Sequence, residues 1–265
     1  AVDVRVRVVS IETLSAAIAL EPLKSQAHLE LRNRIIACFF RSVTLRAEEV
    51  VSVARDALAA VISQQKLQKD LLQSSLRPIL LNLADYRKLS VPLLHGLSRL
   101  LSLLSNFFNL TLGEKLLEHL RRWTDPDALS KTKTFKPGDE VKIPSAILAL
   151  FHLLPPAPDK FLNALVSMTM DLETNMPGSS SMGRYWSPFR AALVPYLARH
   201  AAESVTYFLK RVSDPRFFRM LLSVVKCDEG APVREQLAAQ SPLLTASTFD
   251  VSGAAAATLR FHGVV

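Results

Sequence analysis

The densest group of side chains that could bind a ligand or take part in a reaction is basic. Arg121 and Arg122 stand just before a stretch that carries Lys131, Lys133 and Lys136. Clustered cations attract phosphate groups and other anions. No recognised nucleic-acid reader motif accompanies them. Two interpretations of this candidate contact cluster therefore stay open: a surface that binds phosphate or an acidic partner, and a solvated loop.

The rest of the sequence lacks a recognisable catalytic or metal-binding motif. It contains no glycine-rich phosphate loop, no H-E-x-x-H pair and no G-x-S-x-G elbow, and its six histidines are scattered. Cys38 and Cys227 lie far apart and neither belongs to a C-x-x-C pair. We expect Cys38 and His152 to be structural residues of an apolar core. The sequence predicts a protein without enzymatic activity, cofactor or metal.

The elements that must position these residues are predicted from apolar spacing. The segment from Val91 to Phe108 carries two adjacent stripes with spacings of three and four, which predict a helix packed on two sides. His95 and Arg99 are left for its remaining face. The stripes are Leu94, Leu97, Leu101, Leu104 and Phe108, and Leu93, Leu97, Leu100, Leu104 and Phe107.

Similar patterns predict helices on both sides of this segment. One covers the range from Pro22 to Thr44 and another begins at Ala47. Because proline is tolerated in a first helical turn, Pro78 is expected to start a short new helix. Thr111 and Glu114 have the spacing of a capping box, which predicts a helix that starts after Thr111.

Further helices are predicted in the second half of the chain. Asp159 and Asp214 are expected to cap two of them, since aspartate accepts hydrogen bonds from the first helical N–H groups. Another helix is expected to start at Ser187 and Pro188. Phe218, Leu221, Leu222 and Val225 are expected to form the buried face of the helix after Asp214. The ranges 124–142 and 175–187 are predicted to be loops.

These elements predict an all-α protein. Helix pairs recur about every 35 to 50 residues, an interval typical of HEAT-type arrays. We expect an α-solenoid of HEAT-like antiparallel helix pairs over residues 1–240, followed by a poorly defined tail at 241–265. A bundle around a single core is the competing architecture.

Composition limits the possible partners. The net charge of +8 permits an acidic partner without requiring one. The longest uncharged run, from Ile143 to Pro158, is shorter than the roughly 20 residues of a membrane span. No secretory signal is visible and cysteine is sparse. We expect a soluble protein of a reducing compartment, with no membrane contact.

Four blocks of the sequence, in order, resemble one known family. They are Leu76 to Trp123, Ile143 to Glu173, Ser187 to Leu209 and Asp214 to Lys226. Together they are similar to the HEAT-repeat region of the transformation/transcription domain-associated protein family. The likeness covers about residues 27–244.

The resemblance implies a function that composition does not show. Members of this family are very large helical scaffolds that end in a kinase-like domain without catalytic residues, and that domain is absent from these 265 residues. They are non-enzymatic nuclear subunits of histone acetyltransferase coactivator complexes of the SAGA and NuA4 types, and they receive transcription activators. Two alternatives stay open: a HEAT adaptor of the transport-receptor or phosphatase-scaffold type, and a basic nucleic-acid-binding solenoid.

Overall fold

The computed structural model describes residues 2–64, 67–104, 107–125, 138–175 and 187–239. Within these ranges it contains thirteen α-helices and no β-strand, which confirms the all-α prediction. The helices are α1 Val2–Ile18, α2 Glu21–Lys24, α3 Leu29–Ser42, α4 Glu48–Gln64, α5 Lys69–Ala84, α6 Val91–Leu103, α7 Leu110–Trp123, α8 Asp139–Leu150, α9 Pro158–Thr174, α10 Pro188–Arg199, α11 Ala201–Leu209, α12 Pro215–Lys226 and α13 Ala231–Ala239.

The helices fall into two compact units. The first holds residues 1–109 and 153–155, and the second holds residues 110–152 and 156–265. One continuous array over residues 1–240 stays a prediction, and the tail at 241–265 lies outside the described residues. No helix in the described ranges is both long and apolar enough to cross a membrane.

The core of the first unit forms where α3 packs against α1, α4 and α5. Each helix contributes the apolar stripe that its spacing predicts. The buried side chains of α3 and of the residue that follows it are Ile36, Phe39, Phe40 and Val43. Those of α4 include Val50, Ala54, Ala57, Leu58 and Val61. These buried stripes are confirmed, but the range from Pro22 to Thr44 is not one helix, because the chain is extended at Ser25 between the end of α2 and the start of α3.

The helix α6 is shorter than predicted and ends at Leu103. Its first apolar stripe is buried throughout, whereas Phe107 at the end of the second is 36% exposed. A Cβ atom added to Gly96 would lie 3.1 Å from Cγ2 of Thr44, so the helix approaches the α3–α4 corner closely. Arg99 donates a hydrogen bond to Glu48 at 3.1 Å, which fastens α6 to the start of α4.

The prediction of a new helix at Pro78 is wrong, because α5 runs through it from Lys69 to Ala84. Proline there cannot donate an N–H to the carbonyl of Ser74, which normally weakens a helix interior. The buried stripe of Leu72, Leu76, Ile79 and Leu83 continues across the proline with spacings of four, three and four. Burial of this stripe against α3 holds the helix together.

Two predicted boundaries in the second unit are also wrong. The helix α7 begins at Leu110, so Thr111 lies inside it and is not an N-cap. The helix α8 begins at Asp139, inside the predicted loop at 124–142. Gly138 precedes it with a φ of 91°, which glycine adopts readily, and its N–H donates to Glu140 at 2.8 Å. Residues 126–137 of that loop, like 176–186 of the other, lie outside the described residues.

Alternate helices of the second unit contact each other at a regular sequence separation, and α7 and α9 run in parallel. Lys160 pairs with Glu114, and Asn175 donates to the carbonyl of Thr124 at 2.7 Å, so α7 and α9 advance together. Tyr207 of α11 donates to Asn163 of α9 at 2.9 Å. The separations of 46, 51 and 44 residues are close to the predicted repeat interval.

A buried aromatic cluster joins the end of α8 to α9 and α10. The ring of Phe151 lies 5.4 Å from that of Phe161 and 6.4 Å from that of Tyr196, both edge to face. Arg190 at the start of α10 makes two hydrogen bonds to Glu173 near the end of α9, at 2.6 and 2.7 Å. This pairing places the end of one helix against the start of the next, as in an antiparallel pair.

The predicted caps have different outcomes. Asp214 accepts from the N–H of Arg216, which confirms the predicted cap. Ser187 accepts from the N–H groups of Phe189 and Arg190, at the point where a helix was predicted to start. Asp159 lies in the first turn of α9 and makes no cap hydrogen bond.

The buried face of α12 is shifted from the predicted one. Met220, Leu221 and Val224 are buried, whereas Phe218, Leu222 and Val225 are half-buried.

The α10–α11 corner is built around His200, which is 7% exposed. Its carbonyl accepts from the N–H of Ser204 at 2.9 Å, and its ring lies 4.9 Å from that of Tyr196. Its Nε2 atom has no hydrogen-bond partner among the described residues. Burial lowers the pKa of His200, with a further lowering by Arg199 that Glu203 opposes. Burial likewise lowers the pKa of His152.

This burial predicts a loss of stability on acidification. The folded-state pKa of both histidines lies below the ordinary value of about 6.5, so the neutral forms are favoured by folding. Their contribution is complete above that value and declines as pH falls through it, because the unfolded chain takes up protons first. Denaturant unfolding between about pH 7.5 and 5 should show this slope. His200→Gln combined with His152→Gln should flatten it, and an unchanged slope would contradict the assignment.

Candidate partner-binding surfaces

The predicted basic cluster is only partly within the described residues. Arg121 and Arg122 lie in the last turn of α7, where cations complement the helix dipole. Arg122 is 3.7 Å from Glu118, whose pKa is lowered chiefly by the hydrogen bond from Lys115. Lys131, Lys133 and Lys136 lie outside the described residues. A contact cluster of all five side chains therefore stays a prediction.

Two open grooves stand out on the described surface, one in each unit. The first, which we call the α1/α3/α5 groove, has a volume of about 500 Å³. Its floor is the outward face of α3, with α1 on one side and α5 on the other. The lining residues are Leu14, Leu31, Arg34, Ile35, Ala37, Cys38, Arg41, Ser74, Ser75 and Pro78.

The chemistry of the α1/α3/α5 groove is apolar and basic. Arg34 and Arg41 are exposed, and neither is paired with a carboxylate in the described structure. Cys38 lies between them as a free, half-buried thiol, so the prediction that it is a core residue is wrong. Leu31 is 47% exposed at the edge of the groove. No acidic residue lines the groove.

The second, the α9/α11 groove, has a volume of about 510 Å³ and mixed charge. Asp159 and Glu203 lie near the starts of its two helices, and Lys210 and Arg211 follow the end of α11. The guanidinium of Arg211 stacks over the ring of Tyr207 at 3.9 Å and donates to the Tyr207 carbonyl at 3.1 Å. Burial raises the pKa of the Tyr207 hydroxyl.

Sequence reasoning missed both grooves because each is assembled from helices that are separated in the sequence. One signal was present: Arg34, Cys38 and Arg41 repeat at spacings of four and three, on a face of α3 that the buried stripe of Ile36, Phe39 and Phe40 does not use. Such a polar stripe resembles ordinary solvated helix surface. Only the neighbouring helices make it a groove.

The geometry of these surfaces suits contact with a partner rather than metal binding. The histidine, cysteine and carboxylate side chains within the described ranges form no group of three or more that could hold a metal ion. The half-buried His152 is held by a 2.6 Å contact between its Nδ1 atom and the carbonyl of Ala149, in agreement with the structural role predicted for it. Helix arrays of this kind present extended outer faces to other macromolecules.

Comparison with known proteins identifies the array. The family model described as "Tra1 HEAT repeat ring region" matches residues 4–264. The chain is 39% identical over 236 residues to "Probable transcription-associated protein 1" of Dictyostelium discoideum, with 88% of this chain covered. It is 38% identical over 208 residues, 77% of this chain, to "SAGA complex/NuA4 acetyltransferase complex subunit Tra1" of Schizosaccharomyces pombe. To the mouse "Transformation/transcription domain-associated protein" it is 30% identical over 211 residues, 78% of this chain.

The matched stretch is a small part of these relatives. It spans 5%, 6% and 8% of their respective lengths. The family match confirms the predicted α-solenoid of HEAT-like helix pairs, and it assigns the stretch to a non-enzymatic region. It also continues to residue 264, past the end of the likeness seen in the sequence alone. The chain belongs to the Tra1 HEAT repeat ring family, and the resemblance to the transformation/transcription domain-associated proteins is thereby confirmed.

Proposed function

We propose that this chain acts in the nucleus as a scaffold segment of a transcription coactivator subunit. In this role it belongs to a histone acetyltransferase complex of the SAGA or NuA4 type, contacts other subunits, and contributes a surface that receives transcription activators. The observation that carries the proposal is the family match over residues 4–264. Relatives from two yeasts, 38% and 33% identical, are named as subunits shared by those two complexes.

The structure supports a binding role through the way its surfaces are built. Parallel helices of successive repeats, such as α7 and α9, are held in register by side-chain contacts. This leaves the outer faces available, and both grooves open there. Because a repeat array is stabilised by contacts between neighbouring repeats, its outward residues are free to serve recognition.

Purification of the protein that carries this sequence tests the proposal. A tagged form should be recovered from nuclear extract together with acetyltransferase activity on nucleosomes, and a mock purification should not yield that activity. Recovery in a cytoplasmic transport or phosphatase complex without acetyltransferase would contradict the proposal. The activator part is tested separately, by adding an immobilised activation segment to the purified complex and measuring whether the complex is retained.

A further inference from the structure

The α1/α3/α5 groove combines an apolar floor with two exposed guanidinium groups at its rim. Leu14, Ile35 and Ala37 supply apolar surface, while Arg34 and Arg41 supply charge. The two arginines are seven residues apart on α3, which places them about 10.5 Å apart along the helix axis. We propose that this groove binds an amphipathic helical segment of a protein partner, with leucine-like side chains on the floor and carboxylates against Arg34 and Arg41.

The charge of the groove determines the chemistry of its occupant. Two cations and no carboxylate line it, in contrast to the α9/α11 groove, where two acids and two bases are mixed. An acidic partner gains favourable contacts at both ends of the floor, whereas a basic partner is repelled. Helix-in-groove recognition uses anchors at spacings of three, four and seven, which match the spacing of the two arginines.

Apolar surface extends the groove beyond its lining. Leu81 is 59% exposed and lies three residues after Pro78 and seven after Ser74, on the same face of α5. Leu31 at the other helix is 47% exposed. The surface is therefore ready to accept apolar side chains of a partner.

Nucleic acid fits this groove less well. Its lining contains no aromatic side chain on which a base could stack, and its two arginines stand over an apolar floor. A phosphate backbone would leave that floor uncovered. The occupant favoured by both features is a protein segment. The inference rests on the proposed function, since that function supplies the expectation of protein partners.

Fluorescence anisotropy on the 265-residue chain tests the inference. The probe is a labelled helical peptide of about 16 residues, with leucines along one face and glutamates on both flanks. Its matched control carries glutamine for every glutamate. The acidic peptide should bind at least about tenfold more tightly than the control, and raising salt from about 50 to 300 mM should weaken it.

Variants locate the binding site. Arg34→Glu with Arg41→Glu should weaken binding of the acidic peptide by about tenfold or more. Arg5→Glu with Arg46→Glu makes the same change in net charge at two exposed arginines outside the groove, and should leave affinity within about twofold. Equal weakening by both pairs would overturn the inference, because it would show general attraction to a basic chain.

Protection of Cys38 provides a second measurement that needs no variant. The acidic peptide should slow alkylation of Cys38 in the groove and leave Cys227 in the second unit unaffected. No protection, or stronger competition by duplex DNA than by the acidic peptide, would overturn the inference. These failures are distinct from failure of the proposed function, because recovery of the protein with acetyltransferase does not depend on this groove.

Discussion

Replacing Phe151 with alanine should lower the free energy of unfolding of the second unit by about 3–5 kcal/mol. Phe151 is 1% exposed, and its ring contacts those of Phe161 and Tyr196 edge to face. The substitution removes these contacts and leaves a cavity that rigid neighbouring helices fill poorly. Denaturant unfolding followed by tryptophan fluorescence measures the effect, since Trp123 is buried in this unit.

Phe151→Leu is the matched control for the aromatic cluster. It preserves most of the buried volume, so it should cost only about 1 kcal/mol. If Phe151→Ala cost no more than Phe151→Leu, the ring would not be an anchor of the unit. Such a result would contradict the description of α8, α9 and α10 as helices joined by a common core.

Gly230→Ala should destabilise the same unit by about 1–3 kcal/mol, although it adds a single methyl group. A Cβ atom at Gly230 would lie 1.9 Å from the carbonyl oxygen of Val224. That oxygen belongs to the backbone near the end of α12 and cannot rotate away. Arg234 also fixes the corner, because it donates to the carbonyl of Val225 at 2.7 Å. Chemical denaturation provides the measurement.

Glu229→Ala is the control for Gly230, since Glu229 is its exposed neighbour in the same turn. That change should alter stability by less than about 0.5 kcal/mol. A Gly230 variant as stable as the Glu229 variant would show that the α12–α13 corner has room for a side chain. The close approach described for Gly230 would then be wrong.

Helices of this chain could be predicted wherever a single buried stripe dictates them. The faces of α3 and α4 follow from spacing alone, and so does the cap at Asp214. The helix α1 was not predicted, because its first residues alternate apolar and charged side chains. On a helix this alternation distributes valines around the axis, and Val6 and Val9 are accordingly 58% and 51% exposed.

The boundaries that sequence rules misplaced are those that tertiary contacts decide. Local rules for proline interrupt α5 at Pro78, whereas burial of Leu76 and Ile79 against α3 carries the helix through. Local capping rules start α7 after Thr111, whereas the helix begins at Leu110. The α1/α3/α5 groove is beyond sequence rules for the same reason, because three separate helices create it. The resemblance to a known family could be recognised because it depends on order and spacing of whole blocks.

Photo-crosslinking of the native complex tests most directly the claim that this stretch acts through contact with other proteins. A photoreactive residue is placed at Leu31 in the groove, and another at Leu20, which is 59% exposed and outside it. Leu31 should crosslink to a subunit of a histone acetyltransferase complex, or to an activator bound by it, more efficiently than Leu20. Crosslinks at both positions confined to cytoplasmic transport factors or phosphatase subunits would contradict it.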